Sequence, residues 1–298
     1  MSVSPMACPA CRRRSALLAA LAPAISRLTF TREGLLGLLA LPEARLLRAA
    51  KADNPRGLLR GLQPHPPTKR VPTALCRHDP GYPEALAQLD SAPAVLYASC
   101  TTERLCELLC KPTVAIVGNR TPTDYAQQLA FELAHDLATA GVTVISGMNT
   151  GLEGTAHHGA LNACGHPIAV MPGSPEVPYP SRHKILQQGI LARGAAVSEL
   201  PPGFSPIQGW CFISSQRIIA ALASLIVVVE PAGHTCALFA AQIASDLGAD
   251  VAVVPGRVTD PGGRWTLALL RDGAHPVGCA GDVLELIGDG VQAPRVAA

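Results

Sequence analysis

The sequence predicts an α/β protein whose doubly wound, mostly parallel sheet is preceded by a small all-helical module. From Val114 onward, short apolar runs rich in β-branched residues alternate with helical stretches, an alternation typical of parallel sheets with crossover helices. Glycine follows several of the predicted strands, as expected where short loops lead into helices. Because 48% of the 298 residues are hydrophobic, the chain can fill a sizeable core.

Residues 1–68 are predicted to form the helical module. Its helices are expected over Ala16–Ser26, Thr31–Leu39 and Glu43–Ala50, with Thr31 as the N-cap of the second. Pro64, Pro66 and Pro67 then interrupt the helical pattern and indicate a linker up to about Val71. The main domain is expected over residues 71–288, followed by a flexible tail over residues 289–298.

The main domain opens with a turn-rich segment, Cys76-Arg77-His78-Asp79-Pro80-Gly81-Tyr82-Pro83. A helix over Ala85–Leu89 and a strand over Ala94–Ala98 follow. The parallel strands are predicted at Val114–Val117, Val142–Ser146, Pro167–Val170, Ala195–Val197, Leu225–Val229 and Val251–Val254. In the first crossover helix, Leu129, Leu133 and Leu137 recur every four residues, which suits packing on a sheet.

Charge is distributed unevenly along the chain, although its net value is only +2. Residues 1–70 contain 12 Lys+Arg and 3 Asp+Glu, a net charge of +9, whereas residues 71–298 contain 12 and 19, a net charge of −7. A basic amino-terminal part is compatible with a polyanionic partner. The acidic main body alone is a poor general surface for nucleic acid.

The segment Arg12-Arg13-Arg14 and the alanine-rich run after it imitate a twin-arginine export signal. However, Leu17, Leu21 and Ile25 lie on one helical face, which favours an internal amphipathic helix. The apolar runs are also too short to cross a bilayer. We therefore expect a cytoplasmic chain with no membrane partner.

Ten cysteines are many for a cytosolic protein, but most lie singly in apolar surroundings, as small buried hydrophobic residues do. Cys8 and Cys11 have zinc-knuckle spacing, and Cys106 and Cys110 lie four apart on a predicted helix, so a joint Cys₄ zinc site is conceivable. Because a single CxxC is a weak signal, no metal and no cofactor are expected, and Cys8 and Cys11 are the only weak candidates.

The segment Thr113–Asp124 is expected to form an anion site. An apolar strand ends at Gly118 and a helix begins shortly afterwards, so backbone N–H groups and the helix dipole point at one place. Arg120 adds a full charge with bidentate geometry. A phosphate is the expected ligand, although any doubly wound sheet needs a small residue at this turn.

Other predicted strand ends carry polar residues and glycines that meet at the same edge of the sheet. They are Ser146-Gly147-Met148-Asn149-Thr150-Gly151, Met171–Ser174, Ser198-Glu199, Glu230 with His234 and Thr235, and Pro255-Gly256-Arg257. Hydroxyls and amides there can bond phosphate oxygens or base edges. Glu199 and Glu230 either accept from a ligand's amine or hydroxyl or cap the next helix, and the sequence leaves both open.

Seven ordered motifs resemble the DNA-processing protein DprA (Smf) family. They are Ala115–Arg120, Ile145-Ser146-Gly147 through Leu161, Val177–Pro180, Ser198–Gly203, Gln216–Ala220, Val253–Gly256 and Leu269–Ala274. The resemblance covers roughly residues 74–288. It implies an extended Rossmann-like domain, a homodimer, binding of single-stranded DNA and hand-over of that DNA to the recombinase RecA during natural transformation. It implies no catalysis.

Carried over by position, the resemblance puts Gly118 and Arg120 in a phosphate pocket, with Ser146 and Gly147 beside it and Arg217 as its second cation. The full set of predicted DNA-binding or phosphate-binding residues is Gly118, Asn119, Arg120, Ser146, Gly147, Asn149, Thr150, Gly151, Arg217 and Thr235. Two family arginines are missing, because Thr150 and Ser215 stand in their places. Each lost phosphate contact weakens binding and its salt dependence.

Two alternatives stay open. One is a divergent paralogue that kept the fold and acts as a scaffold with weakened DNA binding. The other is a nucleotide-binding or nucleotide-hydrolysing Rossmann protein, because Pro261–Thr266 imitates a phosphoribohydrolase motif; Leu269 stands at the place of the catalytic acid and argues against it. Tyr125, Trp210 and Phe212 are interpreted as packing residues rather than base-stacking ones, and the pair His157 and His158 as helix-surface residues rather than metal ligands.

Overall fold

The computed structural model describes residues 7–28, 30–63, 65–233, 236–260 and 262–288. The predicted tail at 289–298, the candidate Thr235, and Pro64, His234 and Pro261 lie outside the described residues. Four helices come first, and they are α1 (Pro9–Ser26), α2 (Arg32–Ala40), α3 (Glu43–Ala49) and α4 (Pro55–Gly61). The three predicted helices are confirmed.

Local capping explains the differences from the predicted helices. The first helix begins seven residues earlier than predicted, with Pro9 at its first position, where a proline loses no hydrogen bond. The side chain of Thr31 accepts from the Gly34 N–H and caps α2 as predicted. The unpredicted helix α4 has the same kind of signal, since Asn54 accepts from the Gly57 N–H and Pro55 follows.

Within the described residues, nine strands form one sheet in the order β1-β2-β6-β5-β4-β3-β7-β8-β9. The strands are β1 (Thr73–Leu75), β2 (Leu96–Ala98), β3 (Thr113–Gly118), β4 (Thr143–Gly147), β5 (Ile168–Val170), β6 (Ala195–Ser198), β7 (Leu225–Val229), β8 (Asp250–Val253) and β9 (His275–Pro276). Only the β1–β2 and β2–β6 pairings are antiparallel. The mostly parallel sheet is confirmed, and β1 and β9 add two strands that the sequence did not predict.

Helices cover both faces of the sheet. They are α5 (Glu84–Ala87), α6 (Thr102–Leu109), α7 (Asp124–Thr139), α8 (Leu152–Asn162), α9 (Lys184–Arg193), α10 (Gly209–Leu222), α11 (Cys236–Asp246), α12 (Gly263–Arg271) and α13 (Ala280–Gly288), with a 3₁₀ turn over Ser181–His183. The core on one face includes residues of α6, α10 and α11, and that on the other includes residues of α7, α8 and α13. The doubly wound arrangement is therefore confirmed.

The amino-terminal helices share a core with α10. Leu17 and Leu21 of α1 pack in one cluster with Trp210, and the Trp210 indole N–H donates to the Ala22 carbonyl at 3.3 Å. Trp210 is therefore a packing residue, as predicted. The boundary between a module and a main domain near residues 68–71 stays a prediction. No described helix is long and apolar enough to cross a membrane.

The strand order reverses beside β3. Strands β4, β5 and β6 follow β3 on one side, whereas β7, β8 and β9 lie on the other. Doubly wound sheets bind ligands in the crevice above the carboxyl ends of the strands at such a reversal. The loop after Gly118 and the neighbouring loops after β4 and β7 are therefore the expected ligand-binding positions.

Candidate nucleic-acid interface

Gly118 ends β3 because no side chain fits there. A Cβ atom at Gly118 would lie 2.2 Å from the carbonyl oxygen of Val229 on the neighbouring strand and 2.3 Å from a methyl group of Leu152 on α8. Packing alone therefore accounts for this glycine. The need of a doubly wound sheet for a small residue at this turn is sufficient to explain Gly118.

Replacing Gly118 with alanine is expected to lower the free energy of unfolding by about 1–3 kcal/mol, the usual cost of overpacking. The contact partner is backbone of the paired strand β7, which cannot move without disturbing the sheet. Urea unfolding followed by circular dichroism measures the change. Gly37→Ala is the matched control, because Gly37 is exposed within α2 with nothing near its missing Cβ; it should instead stabilise by about 0.5–1 kcal/mol. Equal unfolding midpoints for wild type and Gly118→Ala would contradict this explanation.

The predicted phosphate position at the start of α7 is occupied by the protein's own carboxylate. Glu230, just after β7, accepts from the Thr123 backbone N–H at 3.1 Å and from the Thr123 hydroxyl, and the Asn119 side-chain amide donates to it at 3.2 Å. A carboxylate here satisfies the helix N-terminus as a phosphate would. Glu230 therefore acts as a capping carboxylate, but at α7, which precedes it in the chain, whereas the capping interpretation named the next helix. The expected phosphate at this helix start needs correction.

Asn119 shapes the same loop. Its side-chain oxygen accepts from the Thr121 N–H at 3.2 Å, and its amide donates to the Thr121 carbonyl at 3.1 Å. The predicted binding residue thus holds the β3–α7 loop in its turn, while Arg120 is left to project from it.

The loop after β4 packs directly against this turn. Gly151 has φ +82°, and a Cβ there would lie 2.5 Å from the carbonyl oxygens of Asn119 and Arg120, so only glycine suits the position. The buried carboxylate of Glu153 accepts from the Asn149 N–H at 2.8 Å and fills the space where a Cβ of Gly147 would stand. Burial raises the pKa of Glu153. Gly147 and Gly151 therefore serve the close approach of backbone and side chain.

Ser146 and His157 lie below this surface. Ser146 is fully buried and donates to the Ile116 carbonyl at 2.6 Å, so the prediction that it faces a ligand needs correction. His157 is also fully buried, with Nε2 2.9 Å from the Gly147 carbonyl, and burial lowers its pKa to about 4. The helix-surface interpretation fits His158, which is exposed, but not His157.

Arg120 is the exposed cation of this edge. Its guanidinium donates to the side-chain oxygen of Asn149 at 2.9 Å and lies over the ring of Phe212, 5.1 Å from the centroid. Phe212 in turn contacts Tyr179 with ring centroids 5.1 Å apart. Among the residues that the structure describes, Arg120 has no carboxylate within ion-pair distance. An exposed arginine whose guanidinium lies over an aromatic ring keeps its outer N–H groups available for an anion.

Further basic groups follow β5, at the same edge of the sheet. His183 lies against α8, where it would meet a Cβ of Gly154 at 2.8 Å, and burial lowers its pKa, with smaller contributions from Arg182 and His158. Arg182 and Lys184 are exposed on either side of it. This basic cluster is absent from the predicted site residues, although the pattern Arg182-His183-Lys184 after a predicted strand end was a usable signal.

Arg217 lies elsewhere, on the buried side of α10. It is 1% exposed and forms a bidentate pair with Glu199, with Nη1–Oε1 and Nη2–Oε2 distances of 2.8 and 2.7 Å. Its Nε–H donates to the Ser91 carbonyl at 2.9 Å. The prediction that Arg217 is the second cation of a phosphate pocket therefore needs correction, because every side of this guanidinium is engaged within the protein.

Glu199 is held as a carboxylate by this pair. Its burial acts to raise the pKa, but the charge and hydrogen bonds of Arg217 outweigh the burial, so the pKa is lowered. Glu199 is therefore a structural ion, and neither of its two predicted roles, ligand acceptor or helix cap, describes it.

The remaining candidates differ in exposure. Thr150 is half-exposed, with its hydroxyl 3.5 Å from the Arg120 carbonyl. Tyr125, in the first turn of α7, is 66% exposed, so the packing interpretation fails for this aromatic residue. Leu269, which stands where the phosphoribohydrolase motif has its catalytic acid, packs against the core of the sheet. The predicted Asn149 is buried and holds Arg120 in place. The edge thus offers an exposed cation, a half-exposed hydroxyl and aromatic rings, which suit phosphates and bases.

A family model and several known proteins are similar in sequence to this chain. The family model for DNA recombination-mediator protein A matches residues 73–288. The chain is 39% identical over 174 residues to a putative DNA processing protein DprA of Mycobacterium tuberculosis, covering 58% of this chain and 44% of that protein. It is 30% identical over 204 residues to DNA processing protein DprA of Bacillus subtilis, covering 68% and 67%. The chain thus spans about half the length of the first of these relatives.

Two solved structures are similar. DprA from Streptococcus pneumoniae superposes with a TM-score of 0.68 at 24% identity, covering 91% of this chain and 97% of that one, and shares the fold. DprA from Helicobacter pylori superposes with a TM-score of 0.61 at 28% identity, covering 70% and 93%, and its structure concerns a single-stranded DNA binding mode.

Proposed function

The chain belongs to the DNA recombination-mediator protein A family, and from this premise we propose that it binds single-stranded DNA without catalysing a reaction. The observation that carries the proposal is Arg120, an exposed guanidinium seated on Phe212 at the strand reversal. One family relative, from H. pylori, has a described single-stranded DNA binding mode. The fold and the position of the cation support the same activity here.

The chemistry of the edge favours a single strand over a duplex. Arg120, Arg182 and Lys184 supply positive charge for phosphates, while Tyr125, Tyr179 and Phe212 offer ring surfaces on which unpaired bases can stack. Thr150 adds a half-exposed hydroxyl in the neighbouring loop, and the buried Asn149 positions Arg120. Bases in a duplex are already stacked and paired, so these rings can stack only with the unpaired bases of a single strand.

We propose that the interaction is weaker than in relatives that retain all of the pocket arginines. Thr150 and Ser215 stand where the family pattern has arginine, and Arg217 is buried in its pair with Glu199. Arg13 and Arg14 are not free to replace the missing arginines, because both are engaged within the protein. Arg13 pairs with Glu43, and Arg14 donates to the carbonyls of Leu39 and Leu41.

The wider role follows from the family. We propose that a homodimer protects incoming single strands in the cytoplasm and passes them to a RecA-type recombinase during natural transformation. Co-precipitation of a purified RecA-type recombinase with the protein, with and without single-stranded DNA, tests the hand-over. Sedimentation of the chain at increasing concentration tests the dimer.

Fluorescence anisotropy with labelled oligothymidylates tests DNA binding. We expect affinity to rise with oligonucleotide length, to exceed that for a duplex of equal length, and to fall as salt increases, because phosphate contacts release counterions. Absence of length-dependent affinity at low salt would overturn the proposal and favour the scaffold alternative. Incubation with nucleoside monophosphates tests the other alternative, and released base would favour the nucleotide-hydrolysing interpretation.

A further inference from the structure

Four potential metal ligands from two distant segments meet outside the candidate interface. They are Cys8 and Cys11 at the start of α1, and Cys76 and His78 in the turn after β1. Their ligand atoms all lie within 4.8 Å of one another. Among the described residues, no other group of three or more such side chains converges in this way. Cys106 and Cys110, which were considered as partners of Cys8 and Cys11, do not belong to the cluster.

The backbone holds the two segments together at this point. The Ala7 N–H donates to the Ala74 carbonyl at 2.7 Å, which joins the residue before Cys8 to β1. The Cys8 N–H points at the Cys76 sulfur at 3.5 Å. Asp79 closes the other turn, since its carboxylate accepts from the Cys76 N–H at 2.6 Å. The four side chains are therefore positioned by hydrogen-bonded backbone.

The sulfur atoms are arranged around a single ring nitrogen. The distances from Nδ1 of His78 to Sγ of Cys8, Cys11 and Cys76 are 3.5, 3.6 and 3.5 Å. A neutral imidazole nitrogen has either one N–H or one lone pair, so it makes one hydrogen bond. Hydrogen bonding of this nitrogen therefore explains only one of the three nearly equal sulfur–nitrogen distances.

A tetrahedral metal site explains the distances. With Zn–S about 2.3 Å and Zn–N about 2.0–2.1 Å, tetrahedral angles put sulfur and nitrogen ligands ~3.6 Å apart. All three observed sulfur–nitrogen distances agree with that separation. An iron–sulfur cluster distributes its cysteines over several iron atoms, whereas four ligand atoms within 4.8 Å converge on one ion.

We propose that Cys8, Cys11, Cys76 and His78 bind one Zn²⁺ ion in a closed structural site. Thiolate and imidazole ligands suit zinc, and four protein ligands leave no position for a substrate. The role is mechanical, because the ion joins the start of α1 to the turn after β1 and so fixes a helix whose Leu17 and Leu21 pack with Trp210. The proposal does not depend on DNA binding.

Elemental analysis of protein purified without chelators is the first test. We expect one zinc ion per chain in the wild type and none above background in the Cys8→Ser/Cys11→Ser variant. Cys106→Ser/Cys110→Ser is the matched control, since it also removes two closely spaced cysteines, one within α6 and one just after its end, and it should retain the ion. His78→Cys should retain it as well, because four thiolates also bind zinc.

A titration of the wild type with Co²⁺ keeps the test independent of whether the variants fold. Tetrahedral cobalt bound to thiolates gives visible d–d bands and thiolate-to-metal charge-transfer absorption. Addition of Zn²⁺ should displace the Co²⁺ and abolish both absorptions. Removal of the ion with a chelator is expected to lower the melting temperature, because binding free energy contributes to folding.

Three results would overturn the proposal. One is a reduced wild-type chain that takes up neither Zn²⁺ nor Co²⁺. Another is a Cys8→Ser/Cys11→Ser variant that keeps the full zinc content. The third is a native disulfide between any two of the three cysteines, detected by mass spectrometry of protein alkylated at lysis.

Discussion

Replacing Arg217 with methionine is expected to lower the free energy of unfolding by about 3–5 kcal/mol, the cost of leaving one partner of a buried ion pair alone. Glu199 is 6% exposed and would lose both guanidinium hydrogen bonds. The carbonyls of Ser91 and Ser214 would lose their donor as well. The variant removes the charge while keeping most of the apolar volume of the side chain.

Urea unfolding monitored by circular dichroism measures this change. The double variant Arg217→Met/Glu199→Leu should recover much of the loss, because well-packed apolar residues often replace a buried pair at little cost. Arg271→Met is the surface control, since Arg271 is exposed at the end of α12, and it should change stability by less than about 0.5 kcal/mol. If Arg217→Met were as stable as this control, the structural role of Arg217 would be wrong.

The same pair makes stability sensitive to acid. Because the folded-state pKa of Glu199 is lowered, its contribution is fully present above the unfolded pKa of about 4.3 and is lost as pH falls through the folded value. We expect the wild type to lose more stability below about pH 4 than the double variant, which has no carboxylate to protonate at this position. Unfolding curves recorded at neutral pH and at stepwise lower pH compare the two.

Replacing Arg120 with alanine is expected to weaken single-stranded DNA binding at least about tenfold, because a charge-assisted hydrogen bond contributes about 1.5–3 kcal/mol. The slope of log affinity against log salt should become shallower by about 0.7 for the lost phosphate contact. Arg120 is exposed, and its contacts are with Asn149 and Phe212 at the loop surface. The fold should therefore persist, as the circular dichroism spectrum will report.

Two further variants separate charge from geometry. Arg120→Lys keeps the charge but loses the planar group that lies on Phe212, so it should bind with intermediate affinity. Arg271→Ala removes an exposed arginine at the opposite edge of the sheet, where α12 leads into β9, and should bind nearly as the wild type does. An equal loss of DNA affinity in Arg120→Ala and Arg271→Ala would indicate that only the overall charge of the protein matters.

The sequence contains enough periodicity to predict most of the fold. The six parallel strands from Val114 to Val254 were recognised because buried strands read as continuous apolar runs. The predicted membership in the DprA (Smf) family is also confirmed. The strands β1 and β9, of three and two residues, were not predicted.

The site was less predictable because burial and pairing depend on tertiary contacts. Arg217 and Glu199 lie 18 positions apart, and nothing in their local sequence shows that they neutralise each other in the core. Glu230 was placed at a strand end correctly, but the hydrogen bond to Thr123 spans 107 positions. Local patterns locate the edge of the sheet, whereas the choice between ligand and structural partner is made in three dimensions.

The metal cluster illustrates the same limit. Cys8 and Cys11 were noticed for their spacing, yet the residues that complete the group, Cys76 and His78, were interpreted only as part of a turn. The Cys-x-His pattern beside an aspartate-stabilised turn was the available signal. Pairing it with a CxxC about seventy residues earlier required the structure.

Photocrosslinking of wild-type protein to a single-stranded oligonucleotide with photoreactive thymidine analogues tests the central claim most directly. Peptide mapping by mass spectrometry should place the crosslinks in the loops that carry Arg120 and Asn149, and on Tyr179 or Phe212. Arg120 is exposed at the strand reversal, Tyr179 and Phe212 are half-buried beside it, and the buried Asn149 holds its guanidinium. Crosslinks confined to the basic helices α1–α4, or to the opposite edge of the sheet, would contradict the assignment of this edge as the DNA-binding surface.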